Sequence, residues 1–189
     1  MKKFIIAGII ALGILWSWYA FHSMDTQTPA YDSGNSTTTG NEPAGDHWNG
    51  WEIATTSEEG TSFRYPAEFG TSYITPVDWP PQLQVLDEPF SCTAAGDETA
   101  RAGKTELRTV EGREYCVTQI TEGAAGSIYS QYAYAFSKND SLMILTFTLR
   151  TPQCLNYDDP ERTACQDEQE TFILDPLIDM IAQSITTTS

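Results

Sequence analysis

Basic residues are scarce in this chain, and their scarcity excludes one class of partner. Only 10 of the 189 residues are lysine or arginine, against 26 aspartates and glutamates, which gives a net charge of −16. From Asp25, the first acidic residue, 8 basic residues stand against 26 acidic ones, a net charge of −18. So negative a surface repels phosphate backbones, and no cluster of lysine or arginine offsets it. We therefore expect no binding to nucleic acid.

Histidine is also nearly missing, which leaves nucleophilic catalysis without a positioned base. The only two, His22 and His47, end an apolar run and a polar segment, where neither would be held rigidly. Ser127 follows Gly-Ala-Ala-Gly, which lacks both the G-x-S-x-G elbow and the lysine of a phosphate loop. The sequence predicts no catalytic residue and no cofactor, and it favours a binding protein over an enzyme.

Charge is absent from Phe4 to Phe21, and this run predicts where the protein resides. As a helix its 18 residues would be about 27 Å long, close to the roughly 30 Å of bilayer hydrocarbon. Lys2 and Lys3 precede the run, so the N-terminus should stay in the cytoplasm while the rest emerges outside. We expect residues 1–22 to form one transmembrane helix that anchors the chain in the cell membrane.

A cleaved signal peptide is the alternative interpretation of the same segment. Signal peptides have a shorter apolar core, about 7–15 residues, followed by small residues at the cleavage site. Cleavage after Ala20 would need a small residue where Trp18 stands, and no cysteine is near enough for a lipoprotein anchor. Both interpretations place the remaining chain outside the cytoplasm, and cleavage would make it a secreted protein.

Apolar residues are also sparse in residues 23–46, which are rich in Ser, Thr, Gly, Asn and Pro. A segment with so little to bury cannot offset the entropy lost on ordering, so it is predicted to be a flexible stalk. The folded, extracytoplasmic domain should then occupy residues 47–189.

Alternating apolar residues in this domain predict antiparallel strands. The clearest pair is Ser127–Ser137 and Leu142–Arg150, which Lys138 to Ser141 join in a good turn sequence. Alternate residues from Met143 to Leu149 form an apolar face typical of a central strand. Further strands are expected at Trp51–Thr55, Ser62–Tyr65, Leu83–Leu86, Glu106–Val110 and Glu114–Ile120.

Helix signals concentrate near the C-terminus. Asp159-Pro160 and Asp175-Pro176 each place an acidic residue where it would cap a helix, with proline at the first helical position. Leu177, Ile181 and Ile185 recur every four residues, so one helical face should pack on the sheet. The predicted fold class is α+β, with an antiparallel sheet packed by C-terminal helices and preceded by the N-terminal transmembrane helix.

Two segments at the start of the domain resemble the opening hairpin of PsbP-like domains. They are Trp48 to Ile53 (WNGWEI) and Ser62 to Phe69 (SFRYPAEF), similar to an aromatic strand followed by a Phe-x-Tyr-Pro-x-x-Phe/Trp segment. The resemblance implies a PsbP-like sandwich and an accessory or binding role, and it transfers no functional residue. Gly123–Ser127 and Gln153–Tyr157 also resemble segments of uncharacterised bacterial membrane-anchored proteins.

All four cysteines lie in the predicted external domain, where disulfides form and persist. Cys92, Cys116, Cys154 and Cys165 allow three pairings, and the sequential one closes two local loops. Zinc binding would favour closely spaced C-x-x-C pairs, which are missing. Structural disulfides are therefore favoured over metal-bound thiols, free thiols or redox chemistry.

Two further sets of residues are candidates for function. The acidic residues Asp158, Asp159 and Glu161 could contribute oxygens to a calcium site, although their spacing matches no EF-hand. Exposed aromatic residues could bind a protein partner in the cell envelope. The aromatic candidates are Trp48, Trp51, Trp79, Tyr129, Tyr132 and Tyr134. The sequence thus favours an envelope binding or accessory module, and the alternative is a carboxylate-based, calcium-dependent enzyme.

Overall fold

A computed structural model describes residues 48–56, 60–97 and 101–187. The predicted membrane helix, the predicted stalk and His47 lie outside the described residues. Within those three ranges, no helix has the length and apolar character needed to cross a membrane.

The described chain forms an α+β fold in which all paired strands are antiparallel, as predicted, but they form two sheets instead of one. The small sheet has the order β1-β2-β9, with β1 at Trp51–Thr55, β2 at Thr61–Pro66 and β9 at Thr186–Thr187. Strand β2 ends at Pro66. Thr186 and Thr187 of β9 pair with the side of β2 that faces away from β1, so the hairpin and β9 form a separate sheet.

The large sheet has six strands and the order β3-β8-β7-β6-β5, and β4 pairs with the same side of β8 as β3 does. Its strands are β3 at Thr75–Pro76, β4 at Gln82–Leu86, β5 at Lys104–Val110, β6 at Arg113–Ala124, β7 at Ser127–Lys138 and β8 at Ser141–Pro152. A 3-10 turn at Cys154–Asn156 leads to helix α1, Glu161–Thr171, and helix α2, Asp175–Ser184.

Two hairpins of the large sheet turn on residues with positive φ. Asn139 (φ 52°) and Asp140 (φ 63°) connect β7 to β8, as the turn sequence predicted. Glu111 (φ 48°) and Gly112 (φ 83°) connect β5 to β6. The strand predicted from Glu114 therefore begins one residue earlier, because Arg113 already pairs with Val110.

The core lies between the large sheet and α2. Met143, Leu145, Phe147 and Leu149 are buried, which confirms the predicted apolar face of β8. Ile178, Ile181 and Ala182 of α2, and Ile185 directly after it, belong to the same core cluster. On the neighbouring strands, Tyr115, Val117, Tyr134 and Phe136 are buried against them. Of the predicted helical face, Ile181 and Ile185 are therefore in the core, while Ile178 and not Leu177 completes the packed surface.

Neither proline-linked aspartate caps its helix. The N-cap residues are Pro160 for α1 and Leu174 for α2, and neither makes a side-chain capping bond. The Asp159 carboxylate instead accepts a hydrogen bond from Thr163 Oγ1. Asp175 is already helical, and its carboxylate binds Tyr134 and Arg108 on the sheet. Both predicted caps are wrong: tertiary partners on the sheet engage the Asp175 carboxylate, and the nearby Thr163 side chain engages that of Asp159.

Candidate functional site

The described residues form a groove between the edges of the two sheets, which we call the strand-edge groove. It encloses about 490 Å³, within the range of small-ligand and peptide pockets. Ala54, Thr55 and Thr56 line one side, residues 80–84 line the other, and Phe63 and Thr146 complete the lining. None of the lining residues is titratable.

The far side of the groove is held in place by Trp79. Its indole Nε1 donates a hydrogen bond to the Pro66 carbonyl oxygen at 2.8 Å. Its ring packs edge-on against Phe69 and Phe147, with centroids 4.7 and 5.7 Å apart. These contacts fix the segment before β4 relative to β2, so the groove is formed by well-packed elements.

Strand β1 has one edge whose backbone groups pair with no other strand in the part of the chain that the structure describes. The Thr56 N–H donates to Thr61 O at 3.0 Å and the Ala67 N–H donates to Gly50 O at 3.2 Å, which fixes the alternation of the hairpin. Even-numbered residues of β1 therefore bond to β2, while the N–H and C=O groups of Trp51, Ile53 and Thr55 point away from it. Among the described residues, no strand pairs with that edge.

One face of β1 also carries a cluster that we call the tryptophan patch: Trp48, Trp51, Ile53 and Arg64. The Trp48 and Trp51 rings meet edge-on with centroids 5.0 Å apart, and the Arg64 guanidinium carbon is 5.6 Å from the Trp48 centroid. Ile53 is paired directly with Arg64 and leaves 63% of its surface exposed. Apolar and aromatic side chains beside a groove are suited to contact a partner.

The opposite face of β1 is tied to β2 by a short hydrogen bond. The Tyr65 hydroxyl donates to Glu52 Oε2 at 2.6 Å. This bond to a carboxylate, with smaller contributions from burial and the negative charge of Glu52, raises the pKa of Tyr65 to about 12. The Glu52 carboxylate is therefore engaged within the hairpin.

A second polar cluster lies between α2 and the large sheet. The Tyr115 hydroxyl donates to Asp179 Oδ1 at 2.5 Å, Gln183 Nε2 donates to Oδ2 at 2.6 Å, and Arg113 Nη1 is 3.6 Å from Oδ1. One turn earlier, Asp175 Oδ1 accepts from Tyr134. Among described side chains, no fully buried nitrogen or oxygen lacks a partner. These mutually satisfied groups hold the helix on the sheet and do not open into the groove.

The acidic residues predicted as calcium ligands do not converge. The Asp158 side chain is fully exposed and lies 3.8 Å from Arg162. Asp159 binds Thr163, and Glu161 is in the first turn of α1. Across residues 48–56, 60–97 and 101–187, no group of three or more His, Cys, Asp or Glu side chains is placed to hold a metal ion.

The aromatic candidates separate into two groups. Tyr134 is fully buried, and Tyr132 and Trp79 are partly buried and in ring contact with Phe147 of the core; Trp51 also packs partly against the core but contacts Trp48 at the surface. Trp48 and Trp51 are partly exposed in the tryptophan patch, and Tyr129 is partly exposed on the outer face of the large sheet. The patch therefore retains two of the six predicted contacts.

The four cysteines form the sequential pair of disulfides. Cys92 bonds to Cys116 and Cys154 to Cys165, with Cα–Cα distances of 5.2 and 5.6 Å. No free cysteine is present among them. The first bond ties the segment after β4 to β6, and the second ties the 3-10 turn to α1.

No family model, curated protein sequence or solved structure matches this chain. The resemblance to PsbP-like domains therefore stays a prediction.

Proposed function

We propose that this chain is a membrane-anchored extracytoplasmic binding module, and that the strand-edge groove with the adjoining tryptophan patch is its binding surface. The observation that carries the proposal is the position of β1. Its edge borders a groove of about 490 Å³, while its outer face exposes Ile53 beside two tryptophans. A concave site next to exposed apolar side chains is the arrangement expected of a binding surface.

Two features support the extracytoplasmic location. Both disulfides are of the kind that persists in oxidising compartments. The uncharged run from Phe4 to Phe21, preceded by Lys2 and Lys3, has the length and charge bias of an outward-directed membrane anchor.

The chemistry of the groove favours binding over catalysis. Its lining consists of Ala, Thr, Phe, Pro, Gln and Leu residues, which provide apolar contacts and hydrogen bonds. None of these side chains is a general acid or base, and the threonine hydroxyls are the only nucleophiles among them. The resemblance to PsbP-like domains, which serve as accessory or binding modules, points the same way.

The membrane attachment is tested on the full-length chain in its own cells. We expect the protein to stay with the membrane fraction until detergent is added, and Edman sequencing to begin at or near residue 1. Release without detergent, together with an N-terminus beyond residue 22, would show that the segment is a cleaved signal.

The binding surface is tested by photo-crosslinking in the intact envelope. A photoreactive amino acid replaces Ile53 in one variant and Glu170, an exposed residue of α1, in the matched control. We expect a reproducible cross-linked product from position 53 that is lost when Trp51→Ala is added. Equal products from both positions, or none from either, would contradict the proposal.

A further inference from the structure

We propose that the edge of β1 captures an extended peptide segment of a partner protein, which adds to the small sheet as a fourth strand, and that this segment is uncharged or basic. The inference deepens the proposed binding function and rests on it. It names the kind of ligand: a polypeptide recognised mainly through its backbone.

The backbone groups of β1 define this ligand. The N–H and C=O groups of Trp51, Ile53 and Thr55 point away from β2 in the alternation fixed by the Thr56–Thr61 and Gly50–Ala67 hydrogen bonds. A row of outward donors and acceptors at this spacing is complementary to one partner geometry, another extended backbone.

As far as residues 48–56, 60–97 and 101–187 show, the edge of β1 lacks the devices that usually keep a sheet edge from pairing. Such edges commonly carry lysine, inward charges, proline or a covering segment. The opposite case is β5, the outer strand of the large sheet, which carries Lys104, Glu106 and Arg108 and is bridged by Ala95 at Thr105. Strand β1 has one charged residue, Glu52, and its carboxylate is bonded to Tyr65.

The strand-edge groove provides the space for such a strand and a second edge opposite β1. Val77 N–H donates to Thr148 O at 2.9 Å, so Thr146 and Ile144 of β8 also bond toward β4. The same alternation turns the backbone groups of Leu83 and Val85 away from β8. Side chains on one face of the guest strand would contact the tryptophan patch at Ile53, and those on the other would enter the groove near Ala54.

Charge complementarity decides between basic and acidic segments. The external part of the chain has a net charge of −18, and the groove lining has no charge of its own. On the strands beyond β7, Lys104 is paired with Glu106 of β5, and Arg108 and Arg113 are paired with Asp175 and Asp179 of α2. After β4 the chain continues with Asp87 and Glu88. An acidic segment would be repelled and a basic one attracted.

The experiment uses full-length protein in detergent and two synthetic peptides. The first alternates threonine and valine and has a lysine at each end, and the second replaces the lysines with glutamates. We expect saturable binding of the lysine peptide and much weaker binding of the glutamate peptide. In hydrogen-exchange NMR the amides of Ile53 and Thr55 should gain protection with the lysine peptide, while Ala54, whose amide already faces β2, should change little.

Two substitutions of one residue separate backbone pairing from side-chain contact. Thr55→Pro removes an outward N–H while leaving the β1–β2 bonds in place, and proline is tolerated at edge positions of this kind. Thr55→Ala keeps the N–H. We expect Thr55→Pro to weaken peptide binding about tenfold or more and Thr55→Ala to leave it nearly unchanged, since one good hydrogen bond corresponds to roughly a factor of ten. Leu107→Pro, at an outward-facing position of β5 away from the groove, is the matched control and should bind like the unaltered chain. Leu83→Pro tests the second edge, on β4.

The outcomes distinguish this inference from the function on which it rests. If position 53 cross-links a partner but Thr55→Pro binds the lysine peptide normally and the two amides stay unprotected, strand addition is wrong and a side-chain binding surface remains. Loss of binding with Leu83→Pro alone would place the guest strand on β4 and overturn the assignment to β1. The absence of both peptide binding and cross-linking would overturn the binding function itself.

Discussion

The Tyr115 hydroxyl donates a 2.5 Å hydrogen bond to Asp179, and both side chains are almost completely buried, with 0% and 2% of their surface exposed. This contact joins β6 to α2 across the core. Arg113 and Gln183 supply the remaining partners of the carboxylate, so a charged group is satisfied where water does not reach.

Removing this hydroxyl should destabilise the domain without altering its shape. Tyr115→Phe leaves Asp179 Oδ1 with only the longer contact to Arg113, and a hydrogen bond to a charged group contributes about 1.5–3 kcal/mol. We expect a loss of that size in the free energy of unfolding, measured by guanidinium denaturation. Tyr129→Phe, on the opposite face of the large sheet, is the control and should change stability by less than about 0.5 kcal/mol. Equal effects from the two variants would mean that the buried bond contributes little.

The buried tyrosines should make the domain sensitive to alkaline pH. Burial, followed by the hydrogen bonds to Asp179 and Asp175, raises the pKa of Tyr115 and Tyr134 well above the ordinary value of about 10. A raised folded-state pKa gives stability that is fully present below about pH 10 and is lost as pH rises toward the folded pKa. The free energy of unfolding should therefore fall above about pH 10. Denaturation curves and tyrosinate absorbance over this range measure both effects. The double variant Tyr115→Phe/Tyr134→Phe should flatten the pH dependence of the free energy of unfolding. Ionisation of both tyrosines at their ordinary pKa in the folded protein would contradict the prediction.

At acidic pH the decisive carboxylate should be Glu168. Its oxygens accept backbone N–H groups from Ser72, Tyr73 and Ile74 at 2.6–2.8 Å, which ties α1 to the loop before β3. Burial alone would raise the pKa of this carboxyl, but the three N–H donors outweigh it and the pKa is lowered. A lowered folded-state pKa gives stability that is present above about pH 4.3 and is lost as pH falls through the folded pKa.

Two substitutions of Glu168 should show how much its hydrogen bonds contribute to stability. Glu168→Gln keeps an oxygen for Tyr73 and Ile74 but loses the acceptor of Ser72, so we expect a loss of about 1–2 kcal/mol. Glu168→Ala loses all three bonds and should cost about 2–4 kcal/mol. Both should reduce the fall in stability at acidic pH, as measured by denaturation across that range. Glu170→Gln, exposed on the same helix, should leave the pH dependence unchanged. An unchanged acid limb in Glu168→Gln would show that another group is responsible.

Local sequence patterns predicted the longest hairpin well because its signals are local. The apolar alternation from Met143 to Leu149 and the turn at Asn139-Asp140 are both visible within a few residues, and both are present in the structure. The predicted cap at Asp159 is replaced by a local bond with Thr163, but the predicted cap at Asp175 failed for the converse reason. Tyr134, which competes for Asp175, is 41 residues away in sequence, and no local pattern reveals it.

The candidate site was harder to predict because it is assembled from distant edges. Strand β1 and residues 80–84 meet only after β2 and Trp79 have packed together. Sequence composition identified Trp48 and Trp51 as possible contacts but could not distinguish them from Trp79 and Tyr134, which are drawn into the core. One sequence signal does indicate the site, since charged residues are scarce in both Trp51–Thr55 and Gln82–Leu86.

The two disulfides should differ in accessibility more than in their contribution to stability. Cys92–Cys116 links residues 24 apart and Cys154–Cys165 links residues 11 apart, so loop entropy assigns them about 3.5 and about 3 kcal/mol respectively. Cys165 is fully buried, and Cys154 is nearly so, whereas Cys92 and Cys116 are partly exposed. A mild reductant acting on the folded protein should therefore release Cys92 and Cys116 first, because thiol exchange needs access to sulfur.

Alkylation with distinguishable reagents before and after unfolding, followed by peptide mapping, measures the order in which the two disulfides are reduced. Paired Cys→Ala variants give the two stability losses by denaturation. Four alkylatable thiols in protein taken directly from its native compartment would contradict both the pairing and the oxidising location inferred from it.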